Sequence, residues 1–145
     1  MRLLVIHGPN LNLLGVREPE VYGNKTLQQI DVRIAEEATA LSVSVRMMQS
    51  NHEGEIIDAL HEARENTAAV ILNPGAYTHY SYAIADAISA IGIPVIEVHL
   101  SNIYAREAFR RTSVIAPVCA GTIAGFGAES YLLAMRAAVA LNSSK

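Results

Sequence analysis

Ala69-Val70-Ile71-Leu72-Asn73-Pro74-Gly75, followed by Ile84, Ala87, Ile88 and Ile91 and then by Val95-Ile96-Glu97-Val98-His99, is the stretch that decides the fold. An apolar, β-branched run closed by Asn73-Pro74-Gly75 reads as a strand buried on both faces. The apolar residues after it recur at three- and four-residue spacing, which predicts a helix with one buried face. Gly92 and Pro94 stop that helix, and a second apolar run begins at once. Two strands separated by a helix of this length run parallel, because a parallel pair needs a long crossover and the helix supplies it.

The same unit repeats outward. Leu3 to Ile6, Val43 to Met47 and Gly121 to Ala124 read as three more strands. Leu27, Ile30, Ile34, Ala38 and Leu41 mark a helix, as do Ile56, Ile57 and Leu60; a last helix carries Leu132, Met135 and Val139 inward. Thr26 with Gln29 and Ser50 with Glu53 have capping-box spacing, in which each side chain satisfies a free backbone N–H at a helix start. Val43, Val45 and Met47 alternate with Ser44 and Arg46, the pattern of an edge strand, whereas the first, third and fourth strands are apolar throughout and central. The expected architecture is a single α/β domain over residues 1–145, a doubly wound, flavodoxin-like five-stranded parallel sheet in the order 2-1-3-4-5.

Composition narrows the chemistry. With 145 residues, 51% of them hydrophobic, the chain can bury one core. A net charge of −3 argues against nucleic acid and anionic membranes as partners, so an anionic substrate must meet arginines locally. The single cysteine, Cys119, allows no internal disulfide and no thiol cluster for zinc; it reads as a small buried hydrophobe. His52 and His61 lack a partner at ligand spacing, so no metal site is expected. The N-terminal apolar run ends at Gly8-Pro9, too early for a signal peptide or membrane span, and a cytoplasmic protein is expected.

Ligands of such sheets sit beyond the carboxyl ends of the strands. Gly8-Pro9-Asn10, Asn73 to His79 and His99-Leu100-Ser101-Asn102 all fall there. The first of these loops runs on through Arg17 to Tyr22. A tyrosine ionises near pH ~10 and serves as a base only where a cation favours its phenolate, for which Arg17 is the local candidate. Spacing alone leaves open whether the two merely decorate a surface loop. Glu97 and His99, two apart on a strand, share a face, so the carboxylate can orient the imidazole and favour its protonated form; a structural ion pair is the alternative. Ser101 and the amides after His99 can hold a carboxylate, helped by a short helix beginning near Arg106. On that helix Arg106 and Arg110 would share one face, with Arg111 pointing away. His7 reads as a packed strand-end residue. Gly125-Phe126-Gly127-Ala128-Glu129-Ser130, a damaged dinucleotide fingerprint after the last strand, reads as a tight turn.

The stretches Gly8 to Pro19 with Tyr22-Gly23, Gln49 to Glu55, Asn73 to His79, and Glu97 to Asn102 with Arg106-Glu107 and Phe109-Arg110 resemble type II 3-dehydroquinate dehydratase over nearly the whole chain. The resemblance implies that Tyr22, as a phenolate beside Arg17, abstracts a proton next to the substrate ketone. Asn10 would hold a water against the enolate oxygen, and His99, held by Glu97, would protonate the departing hydroxyl. Asn73, Leu100, Ser101, His79, Arg106 and Arg110 would bind substrate, and Asp86 would reach a neighbouring subunit's site. It further implies a homododecamer of trimers, no cofactor, and a role in aromatic amino-acid biosynthesis or in quinate breakdown. Ala85 and Tyr104 depart from common family usage, where arginine and histidine are frequent. The only lysines, Lys25 and Lys145, are poorly placed for a Schiff base. Two rivals are a flavin- or phosphate-binding module and an assembly protein without activity. The first is weakened by a loop after the first strand that carries leucines where a phosphate needs hydroxyls.

Overall fold

The computed structural model describes residues 1–144. Five strands, β1 (Arg2–His7), β2 (Ser44–Gln49), β3 (Ala69–Asn73), β4 (Val95–His99) and β5 (Gly121–Ala124), form one sheet in the order β2-β1-β3-β4-β5. Every pairing is parallel. The expected parallel sheet and strand order are therefore the observed ones, with β2 and β5 at the edges.

Alternation along each central strand builds two cores. Leu3, Val5, Ile71, Ile96 and Val98 pack on one face against α2 (Leu27–Ala40) and α5 (Glu129–Ser143). Leu4, Ile6, Val70, Leu72 and Val95 pack on the other against α3 (Glu53–Ala63) and α4 (Tyr82–Ile91). A one-turn helix, α1 (Pro19–Tyr22), lies in the long loop after β1. This two-fold alternation also decides where the polar strand ends point. His7 and Asn73, paired in register across β1 and β3, continue the α2/α5 face. Glu97 and His99 continue the α3/α4 side of β4, with Val95.

The capping box of Thr26 and Gln29 is formed in both directions. That of Ser50 and Glu53 is not. Helix α3 starts at Glu53 with His52 as its cap, so Ser50 lies before the helix and its hydroxyl instead accepts from the His52 N–H at 2.9 Å. Glu53 turns to α4, where Ser81 donates to it at 2.5 Å. In α5 the buried positions are Ser130, Tyr131, Leu132, Ala134, Met135 and Ala138, and Val139 is only half-buried. Among the described residues no helix is long and apolar enough to cross a membrane.

Candidate active site

The carboxyl ends of β1, β3 and β4 open onto one cleft, and Asn10, Arg17, Tyr22, Asn73 and His99 all line it. Gly8 makes this convergence possible. Its N–H donates to the Asn73 carbonyl at 2.7 Å, and a Cβ there would stand 2.7 Å from that oxygen, closer than any side chain tolerates. Glycine thus seats the first loop against the third. Asn10 follows in the left-handed region (φ 69°), which asparagine tolerates, and its N–H donates to Asn51 Oδ1 at 3.0 Å.

Tyr22, at the end of α1, is clasped between two guanidiniums. Arg17 Cζ lies 4.8 Å from its ring centre and Arg106 Cζ 4.9 Å. Arg17 was expected beside Tyr22; Arg106 was expected only as a substrate ligand. The helix expected near Arg106 does not form. Two short 3-10 turns, Ile103–Ala105 and Ala108–Arg111, flank it, and Arg106 itself is extended. That break turns Arg106 towards Tyr22 and Ser101, to whose hydroxyl it donates at 3.4 Å, while Arg110 still lines the cleft. Arginine side chains, Arg17, Arg106 and Arg110, carry the positive charge of the cleft. Arg111 is exposed, as expected.

Glu97 lies fully buried beneath the cleft floor. Its carboxylate meets His99 Nε2 at 2.5 Å, accepts from Thr78 Oγ1 at 2.7 Å, and accepts from Ser113 Oγ at 2.9 Å. Burial alone would raise its pKa, but the His99 hydrogen bond and charge, with the two hydroxyls, hold it below its ordinary 4.5. With Nε2 committed to the carboxylate, Nδ1 is the His99 nitrogen left to exchange a proton with a ligand.

Leu100, Ser101 and His79 also line the cleft. His79 Nδ1 donates to the Thr112 carbonyl at 2.8 Å, and its ring stands edge-on to Phe109. Asp86 is not part of this lining; it is exposed on α4. Lys25 borders a separate surface hollow with Gln29 and Val32, and Lys145 lies outside the described residues. Cys119 packs partly buried against the α3/α4 core, and burial together with the Glu97 charge pushes its thiol up to about 12.

Thr78 and Ser113, the two hydroxyls on Glu97, were not singled out beforehand. Thr78 stands within the Asn73 to His79 motif, and its signal was a polar residue three before a helix cap. Ser113 carried none. A hollow of about 400 Å³ at the amino ends of the strands, between Arg2, Arg46 and Asn66, is roomier than the cleft, at about 80 Å³. It brings together no acid with a base, so chemistry and not size assigns the site.

An imidazole bonded to a buried carboxylate and a tyrosine beside two guanidiniums open on one cleft of an α/β enzyme of the doubly wound class. The family model described as dehydroquinase class II matches residues 1–139. The chain is 62% identical over 141 residues to the 3-dehydroquinate dehydratase of Pelotomaculum thermopropionicum, covering 97% of this chain and 98% of that one. To the Bacillus subtilis protein of the same name it is 58% identical, over 92% and 90% of the two chains. The crystal structure of type II dehydroquinase from Butyrivibrio crossotus superposes with a TM-score of 0.94 at 48% identity, over 95% of this chain and 97% of that one. The chain belongs to the class II dehydroquinase family.

Proposed function

We propose that this cleft dehydrates 3-dehydroquinate to 3-dehydroshikimate by an anti elimination through an enolate. Tyr22, as phenolate between Arg17 and Arg106, takes the proton from the carbon beside the ketone, and the C–H electron pair moves into the enolate. Asn10 holds a water against the enolate oxygen, where charge develops in the transition state. The enolate then collapses, the C–O bond to the hydroxyl breaks, and the imidazolium of His99, oriented by Glu97, donates the proton that lets it leave as water. Asn73, Leu100, Ser101, His79, Arg106 and Arg110 hold the carboxylate and ring hydroxyls. The single observation that carries this reading is that Tyr22, with its two guanidiniums, and His99, bonded to Glu97, line the same cleft.

The proposal extends to a dodecamer of trimers in which Asp86, exposed on α4, completes a neighbouring site, and to a cytoplasmic step in aromatic amino-acid biosynthesis. Quinate breakdown would use the same reaction. A phosphate-binding module is disfavoured because Leu11 and Leu14 of the first loop are buried in the core instead of leaving a hydroxyl-rich cradle.

The test is conversion of 3-dehydroquinate followed by the ultraviolet absorbance of the conjugated product. Tyr22→Phe should fold and lose at least about a hundredfold in kcat, the low end of what a general base contributes. Borohydride added with substrate should leave wild-type activity intact. Retained turnover in Tyr22→Phe would demand another base, and borohydride inactivation would demand an imine.

A further inference from the structure

Behind the cleft, on the α2/α5 side of the sheet, four polar side chains form a chain that proton transfer does not use. Asp31 Oδ1 meets His7 Nε2 at 2.8 Å, His7 Nδ1 meets the Tyr131 hydroxyl at 2.8 Å, and Asn73 Nδ2 donates to that hydroxyl at 3.0 Å. Asn73 Oδ1 in turn accepts from the Gly75 N–H at 3.2 Å. His7, Tyr131 and Asn73 are each at most 3% exposed, whereas the Asp31 side chain is 33% exposed.

With a neutral imidazole, the Asp31 carboxylate sets the polarity of this chain. A carboxylate only accepts, so His7 carries its proton on Nε2 and presents Nδ1 as an acceptor. Tyr131 therefore donates its O–H to His7, which leaves its oxygen to accept from Asn73. Burial keeps the Tyr131 phenol above its ordinary range, so it remains a hydroxyl able to donate and accept at once. In the opposite His7 tautomer both neighbours would donate to Tyr131, and its own proton would be stranded in the core at a cost.

We propose that Asp31, His7 and Tyr131 are positioning residues that fix which end of the Asn73 amide faces the cleft. With Nδ2 tied to Tyr131 and Oδ1 to Gly75, the second Nδ2 hydrogen is the donor Asn73 can offer a ligand. Its partner on the substrate is an acceptor, a carboxylate or hydroxyl oxygen. The inference rests on the reading of Asn73 as a substrate ligand given above.

The experiment is a double-mutant cycle on the assembled enzyme with 3-dehydroquinate. Tyr131→Phe removes the anchor for Nδ2 and should lower kcat/KM about tenfold, mostly through KM, because a binding contact common to ground and transition states is loosened. In an Asn73→Ala background the same change should cost less than about twofold, since its target is gone. Equal losses in both backgrounds would reduce Tyr131 to a packing role and overturn the proposal, as would an unchanged KM. Should Tyr131→Phe fail to fold, Asp31→Ala at the part-exposed end frees the His7 tautomer and should raise KM with the same dependence on Asn73; no rise refutes it. Nitrogen-15 NMR of His7 supplies a reading independent of turnover: the Nε2–H tautomer is expected, and the Nδ1–H tautomer overturns the chain's polarity. A wild-type protein without turnover would count against the assigned reaction, and the His7 tautomer would still decide the relay.

Discussion

Replacing Glu97 by glutamine removes one charge and almost no volume. With the amide oxygen in the place of Oε2 it can still accept from His99 Nε2 and Thr78, and the Ser113 hydroxyl, which meets Oε1, can rotate to accept from the new NH₂ group, so the imidazole should stay in place. What is lost is the field of a buried carboxylate on the imidazolium. At an effective permittivity of ~20, unit charges 4 Å apart interact by about 4 kcal/mol. A third of that interaction, ~1.4 kcal/mol, is already a factor of ten in rate. The assay is kcat with 3-dehydroquinate, followed by product absorbance. In Glu97→Gln kcat should therefore fall by at least about tenfold, with KM little changed. An unchanged kcat in a variant with native circular dichroism would refute the assignment of Glu97 as the group that holds the acid.

Removing a guanidinium should act on the base. In Arg106→Ala kcat should fall about tenfold, and Arg17→Ala should do the same, since both lie just under 5 Å from the Tyr22 ring centre. Glu97 also links stability to acidity: its folded pKa lies below 4.5, so its contribution is complete above about that pH and fades as pH falls through the lower folded value. Urea unfolding of Glu97→Gln should accordingly show a weaker loss of stability below pH 4.5 than the wild type. Gly8→Ala should cost about 1–3 kcal/mol by urea unfolding, because its methyl group meets the Asn73 and Pro74 backbone at 2.7 Å and backbone cannot step aside.

Strand order and the two-sided core were legible because they follow from periodicity. Runs apolar at every position can only be central strands, and the alternation of Val43 to Met47 placed β2 at an edge. The failures were local contests between hydrogen-bond partners. Ser50 had the spacing of a cap, but His52 took that position and left Ser50 to the turn before it. Arg106 and Arg110 had the spacing of a helical face, but the chain there forms two 3-10 turns, and the extended residue between them is what brings Arg106 to Tyr22.

The site divides along the same line. Glu97 and His99 could be paired in advance because two residues on one strand have only two possible faces. Groups brought from distant elements could not: Thr78, Ser113 and Tyr131 lie 19, 16 and 58 residues from their partners Glu97 and Asn73. Yet the strand alternation already sorted the polar ends, sending His7 and Asn73 towards α2 and α5 and Glu97 and His99 towards α3 and α4. One buried network therefore forms on each side of the sheet beneath the same cleft, the first holding an amide and the second an imidazole. A substitution in either network should disturb its own function and leave the other's kcat or KM in place, because apolar side chains of β3 and β4 lie between them.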